Sequence, residues 1–154
     1  MLRKWDELPD FMRVDEVRPY WEILNKRRGQ LLLKRIFDLV VALVLLVILA
    51  IPMGIIAVLI KRDSEGPVFY RQERVTTYGH HFRIHKFRTM VSNADKIGTA
   101  VTVGNDSRIT RIGAKLRGLR FDELPQVLDV IQGTMSFVGT RPEAVKYVER
   151  YKPE

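Results

Sequence analysis

The sequence predicts a helix-dominated α+β protein in which a Pro-broken membrane helix precedes a small soluble domain. Three observations carry that class. From Leu39 to Ile60 the chain runs 22 residues without a charge. Two short strand-like stretches flank a turn around Gly79, and helical spacing of apolar residues resumes after Asp122. A length of 154 residues allows one modest domain and an appendage. With 46% hydrophobic and 29% charged residues a core can form, which excludes wholesale disorder. The absence of cysteine excludes disulfides and thiolate metal sites. A net charge of +8 points to an anionic partner: nucleic acid, lipid headgroups or a phosphorylated substrate.

Residues 1–33 mix seven basic and six acidic side chains with Trp5, Tyr20 and Trp21, punctuated by Pro9 and Pro19. Short helices at a membrane surface fit this pattern, because aromatic rings favour the interface; a plain polar extension fits it equally.

Residues 34–62 form the membrane segment. A straight helix over the uncharged run would reach about 33 Å, enough for a roughly 30 Å hydrocarbon core. Pro52 removes a backbone donor and clashes with the carbonyl four residues earlier, so a kink or break is expected there, with Gly54 close behind. Lys34 and Arg35 flank one end and Lys61 and Arg62 the other, so basic charge does not set the two ends on opposite sides. A kinked single span and a helix that dips in and returns both fit.

Residues 63–154 read as soluble. "VFYRQERV" and "FRIHKFRTM" predict two strands around the Gly79 turn, and "GNDSRITRIG" predicts a loop. Leu124, Val127, Leu128 and Ile131 recur at helical spacing, with Gly133 suited to the C-terminal cap. A final short helix is expected from Glu143 to Tyr151. This segment has 15 basic and 11 acidic side chains, an excess too small to argue for nucleic-acid binding.

Three places could carry chemistry. With Asp122 expected at the N-cap, Pro125 falls in the first turn, and Asp122 and Glu123 sit at the positive end of a helix dipole. Simple capping and a carboxylate nucleophile both fit. Strand alternation puts Lys86 and Arg88 on one face, and Arg83, His85 and Phe87 on the other. Two neighbouring cations could hold a diphosphate, or simply face solvent. Arg141 precedes a proline that biases its backbone toward extension, giving a fixed phosphate contact or an ordinary loop residue. Arg117 and Arg120, beside the acidic pair, read likewise as solvated surface charges. His80, His81 and His85 read as turn and surface histidines more readily than as metal ligands.

Taken in order, "KRIFDL", "GPVFYRQERV", "KFRTM", "LRFDELPQ" and "MSFVGTRPE", spread over residues 34–154, resemble the bacterial sugar transferase family of monotopic phosphoglycosyl transferases. The resemblance implies a re-entrant helix over residues 34–62 and a cytoplasmic catalytic domain over residues 63–154, on the inner face of a bacterial inner membrane. It implies transfer of a phospho-sugar from a nucleotide diphosphate sugar, usually a UDP-sugar, to polyprenyl (undecaprenyl) phosphate, beginning a lipid-linked glycan or exopolysaccharide. Asp122 matches the family's nucleophile and Glu123 its partner, which helps hold Mg²⁺. Lys86, Arg88, Arg117 and Arg141 match substrate-binding cations. The sequence departs from the family pattern at Ile51, where serine commonly precedes the proline, and at Thr140, where proline is common in the turn. Relatives also continue beyond "YVERYKPE", so a C-terminally incomplete domain is expected. An inactive truncated relative that binds lipid phosphate or a partner is the alternative.

Overall fold

The computed structural model describes residues 2–97 and 106–149. Its architecture is the helix-dominated one expected, with a two-stranded sheet. Two 3₁₀ turns, Trp5–Glu7 and Asp10–Met12, lead to helix α1, Arg18–Lys26, which Pro19 starts from a position where no donor is needed. This extension folds back on the hairpin turn. The Arg3 backbone N–H donates to the Tyr78 hydroxyl at 3.2 Å, and the Arg3 guanidinium lies 4.8 Å from that ring. Trp5 and Trp21 meet edge to face at 5.6 Å, and Trp21 Nε1 donates to the Arg3 carbonyl.

Helix α2 runs from Arg28 to Asp63. It begins six residues before the boundary expected at Lys34, because the charge boundary marks where the apolar run starts while Gln30, Leu31, Leu32 and Leu33 are themselves good helix formers. Of the kink or break expected at Pro52, the break is absent: residues on both sides of the proline remain helical. Pro52 lies on the exposed side, and a proline removes a single donor. On the inward side, Asp38, Ala42, Leu45, Leu49, Met53, Ile56 and Ile60 keep helical spacing across that point. One face of α2 therefore packs while Val47, Ile48, Ile51 and Ile55 stay exposed.

Strands β1, Phe69–Val75, and β2, His81–Phe87, pair antiparallel in a register that sets Tyr70 opposite Lys86 and Val75 opposite His81. The turn needs left-handed backbone at Tyr78 and at Gly79. A short α3, Ala94–Ile97, follows. Helix α4, Arg111–Gly118, is capped by the Thr110 hydroxyl, which accepts from Gly113 N at 3.0 Å, and by Asp63, whose Oδ2 accepts from Ile112 N at 2.8 Å. The loop expected over 104–113 thus gives way to helix at Arg111; its residues 104 and 105 lie outside the described residues. Helix α5, Val127–Gln132, ends at Gly133 with φ 84°. The last helix, α6, is Val145–Val148, shorter than expected, and positions 150 and 151 lie outside the described residues.

The core has two parts, both built on α2. Ile56 and Ile60 bury against Phe87 of β2 and Leu116 of α4, while Ala42 buries against Val127 and Val130 of α5. Each large apolar side chain so buried contributes roughly 2 kcal/mol.

Candidate active site

The dyad sits on a 3₁₀ turn, Phe121–Gln126, wedged between α4 and α5. Asp122 is not its N-cap. Arg120 holds that position, with φ 59°, and it is this left-handed residue that reverses the chain after α4 and turns the two carboxylates toward β2. The N-cap expectation failed because no glycine marks the reversal and because the turn winds as 3₁₀ before becoming α at Val127.

The two carboxylates have opposite environments. Asp122 is buried, and its Oδ1 has no hydrogen-bond partner among the described residues. Burial pushes its carboxyl above the ordinary value; nearby Lys86 opposes this and the Glu123 charge reinforces it. Glu123 also feels burial, but hydrogen bonds from Arg141 and Lys86 outweigh it and hold its carboxyl below the ordinary value. Its Oε1 accepts from Lys86 Nζ at 3.1 Å and from Arg141 Nη2 at 2.6 Å, with Arg120 Nη1 at 3.8 Å.

Asp122, Lys86, Arg88 and Arg117 line one cavity of about 330 Å³. Within it Arg117 Nε donates to the Thr89 hydroxyl at 2.8 Å. Arg88 is 5% exposed, and its Nη2 donates to Ser64 at both the carbonyl, 2.7 Å, and the hydroxyl, 2.9 Å, tying the end of α2 to the end of β2. Arg141 is brought to the dyad but not to this cavity: it lines a neighbouring hollow formed by the loop after α5. The structure therefore assembles all six predicted site residues around the turn: Asp122, Lys86, Arg88 and Arg117 on the cavity wall, and Glu123 beside them with Arg141 on its carboxylate. His85, by contrast, is buried against Asp129, and His81 meets Glu73 at the surface.

Sequence reasoning missed Tyr70, Gln72 and Arg74 of β1, and Arg108, all on the cavity wall. The first three alternate along one strand face, in register with Lys86, so the period-two pattern of "YRQER" was the available signal. Arg108 follows a stretch with no periodicity; it pairs with Asp106 at 2.6 Å and holds that carboxyl down to about 2.

A carboxylate with a free oxygen, buried in a basic cavity, can attack an electron-poor centre such as a phosphorus held by those cations. Comparison with known proteins points the same way. A family model described as bacterial sugar transferase matches residues 29–154. A Bacillus subtilis (strain 168) protein provisionally named undecaprenyl-phosphate N-acetylgalactosaminyl 1-phosphate transferase is 42% identical over 84% of this chain and 73% of its own length. The exopolysaccharide production protein PSS of Rhizobium leguminosarum bv. phaseoli is 47% identical over 75% of this chain, which spans 58% of that protein. The UDP-glucose:undecaprenyl-phosphate glucose-1-phosphate transferase of Escherichia coli (strain K12) is 43% identical over 79% of this chain, which spans 26% of that protein.

Proposed function

This chain belongs to the bacterial sugar transferase family, and from that premise we propose that it transfers a phospho-sugar from a nucleotide diphosphate sugar to undecaprenyl phosphate through Asp122. The carrying observation is the buried Oδ1 of Asp122, without a hydrogen-bond partner among the described residues, on a wall shared with Lys86, Arg88 and Arg117. In the first step an Asp122 oxygen attacks the sugar-linked phosphorus, the phosphorus–oxygen bond to the nucleoside monophosphate breaks, and that nucleotide leaves with its electron pair. In the second, an oxygen of the lipid phosphate attacks the same phosphorus and the carboxylate departs. One nucleophile thus serves a soluble donor and a lipid acceptor in turn. Burial and lysine act on Asp122 in opposite senses: burial raises its pKa, while Lys86 favours the ionised form that attacks.

The donor set fits Mg²⁺: two adjacent carboxylates, one with an orphaned buried oxygen, match an ion usually held by one or two carboxylates plus substrate phosphates. Glu123, with Asp122 beside it, would hold the ion, which when bound supplies neutralising charge to the diphosphate and the departing nucleotide.

In this reading helix α2 anchors the chemistry at a bilayer surface. It is long and apolar enough to cross a membrane, yet both its halves pack on the same small domain, Ala42 against α5 and Ile56 and Ile60 against β2 and α4. Near its start Arg35 donates to the Val130 and Ile131 carbonyls at 2.6 and 2.8 Å, and at its end Asp63 accepts from Ile112. Ends fastened to one polar domain do not lie on opposite sides of a bilayer, which supports the monotopic reading over a span.

The test is nucleotide release from a panel of UDP-sugars by nanodisc-held protein with Mg²⁺ and undecaprenyl phosphate, beside Asp122→Asn. Release by the wild type, abolished in a variant that still associates with membrane, supports the reading. A trapped phospho-sugar adduct of undiminished yield in Asp122→Asn removes Asp122 as nucleophile.

A further inference from the structure

Asp129 is fully buried on α5, yet it is not on the cavity wall, and among the described residues its carboxylate bonds to neither member of the dyad. Its carboxylate is spent on a single residue. Oδ2 accepts from the backbone N–H of His85 at 2.9 Å, and Oδ1 meets the ring Nδ1 of His85 at 2.7 Å, where a nitrogen facing a carboxylate donates. Main chain and side chain of one strand residue are thus clamped together.

The next residue on that strand is Lys86. Alternation sends its side chain to the opposite face, where Nζ reaches Glu123 at 3.1 Å. His85 with Asp129, and Lys86 with Glu123, therefore form a two-point tie between the same two segments, residues 85–86 and the continuous stretch from Glu123 to Asp129. The ladder with β1 holds this strand along one edge, and the two ties fix where its last residues meet the turn that carries the dyad. The main-chain carbonyl of Asp129 also accepts from the N–H groups of Thr134 and Met135, at 3.1 and 3.2 Å, and from the Thr134 hydroxyl. Those bonds root the loop that ends at Arg141, the second cation on Glu123. An apolar pair could fill the same space without the cost of burying a carboxylate, so packing alone does not account for this one.

We infer that the buried His85–Asp129 pair is a positioning device that holds Lys86 on Glu123 and so fixes the charges around the dyad. The catalytic part of this inference rests on the transferase reading; the geometric part does not.

The test is amine-reactive labelling of the full chain in nanodiscs, read by mass spectrometry at Lys86, whose side chain is 16% exposed, against Lys115 as internal reference. His85→Leu removes the ring bond. Loss of a hydrogen bond to a charged group should raise labelling at Lys86 on the order of tenfold, with Lys115 unchanged. His85→Asn places an amide donor near the position of Nδ1 and should restore protection, which rescue of simple packing would not require. Asp129→Ala, which removes both acceptor oxygens, gives the same reading from the other side of the pair if His85→Leu fails to fold. In folded His85→Leu, kcat/KM for nucleotide release should fall, and in His85→Asn it should recover. Labelling that stays at the wild-type level in both variants, or rises in step at Lys86 and Lys115, overturns the inference and leaves the pair a stability element. Because labelling needs no turnover, selective exposure of Lys86 in a chain that releases no nucleotide would uphold the positioning and remove the transferase reading instead.

Discussion

Replacing Gly113 by alanine sets two effects against each other. Alanine is about 1 kcal/mol more favourable than glycine in a helix interior, and Gly113 lies within α4. A Cβ at this position, however, would stand 2.1 Å from the Thr89 carbonyl oxygen, 2.7 Å from its carbonyl carbon and 2.8 Å from its Cα. Ordinary contact is roughly 3.5 Å or more, and all three atoms are backbone, so the helix must retreat from the end of β2 by about 1 Å. That retreat breaks the bond from Thr110 N to the Thr89 carbonyl, 3.1 Å, and strains the one from Arg117 to the Thr89 hydroxyl. Overpacking costs about 1–3 kcal/mol and each lost hydrogen bond about 1 kcal/mol. Sterics therefore win, with a net destabilisation of about 2–3 kcal/mol, or roughly 5–10 °C in Tm for a chain of this size. Circular dichroism melting in nanodiscs of fixed lipid composition reads it, and adduct yield should fall as Arg117 leaves the cavity wall. A Tm equal to or above the wild type would mean that α4 is not seated on Thr89 and would refute the reasoning.

Three further outcomes are expected. Burial holds Asp122 above the ordinary carboxylate value, so the fold favours its protonated form, and the cost of ionising it is absent below about pH 4 and develops as pH rises through the raised native value. Asp122→Asn should accordingly raise Tm over the wild type at pH 7–8, with the gain shrinking toward pH 4; a gain largest in acid would contradict the sign. Arg88→Lys keeps the charge but not the planar guanidinium, whose Nη2 gives both bonds to Ser64 and whose Nη1 reaches the Ser92 hydroxyl, and should cost about 2 kcal/mol in chemical denaturation, while an unchanged midpoint would show that the guanidinium geometry adds nothing. Arg35→Ala strips two carbonyls at the end of α5 of a cationic donor, and faster amide exchange over Thr134–Val138 should follow; exchange unchanged there would detach Arg35 from that loop.

What the sequence determined by itself was whatever rests on local pattern. The uncharged run specified α2, alternation specified the hairpin, and helical spacing ending at Gly133 specified α5, because each is decided by neighbours a few residues apart. The dyad and its four cations were legible through ordered motifs. What only the tertiary structure decided was direction and partnership. No sequence rule told that Arg120 would take a left-handed conformation and aim the dyad at β2, or that Pro52 would fall on the exposed face of a helix whose packed side runs on unbroken. Nor did any local pattern separate Asp122 from Glu123, adjacent carboxylates that the fold makes opposites: one is buried with an unpartnered oxygen, and the other is drawn onto Lys86 and Arg141, residues 37 and 18 positions away. Desolvation and ion pairing are set by which distant segments meet, and that is the information a linear pattern does not hold.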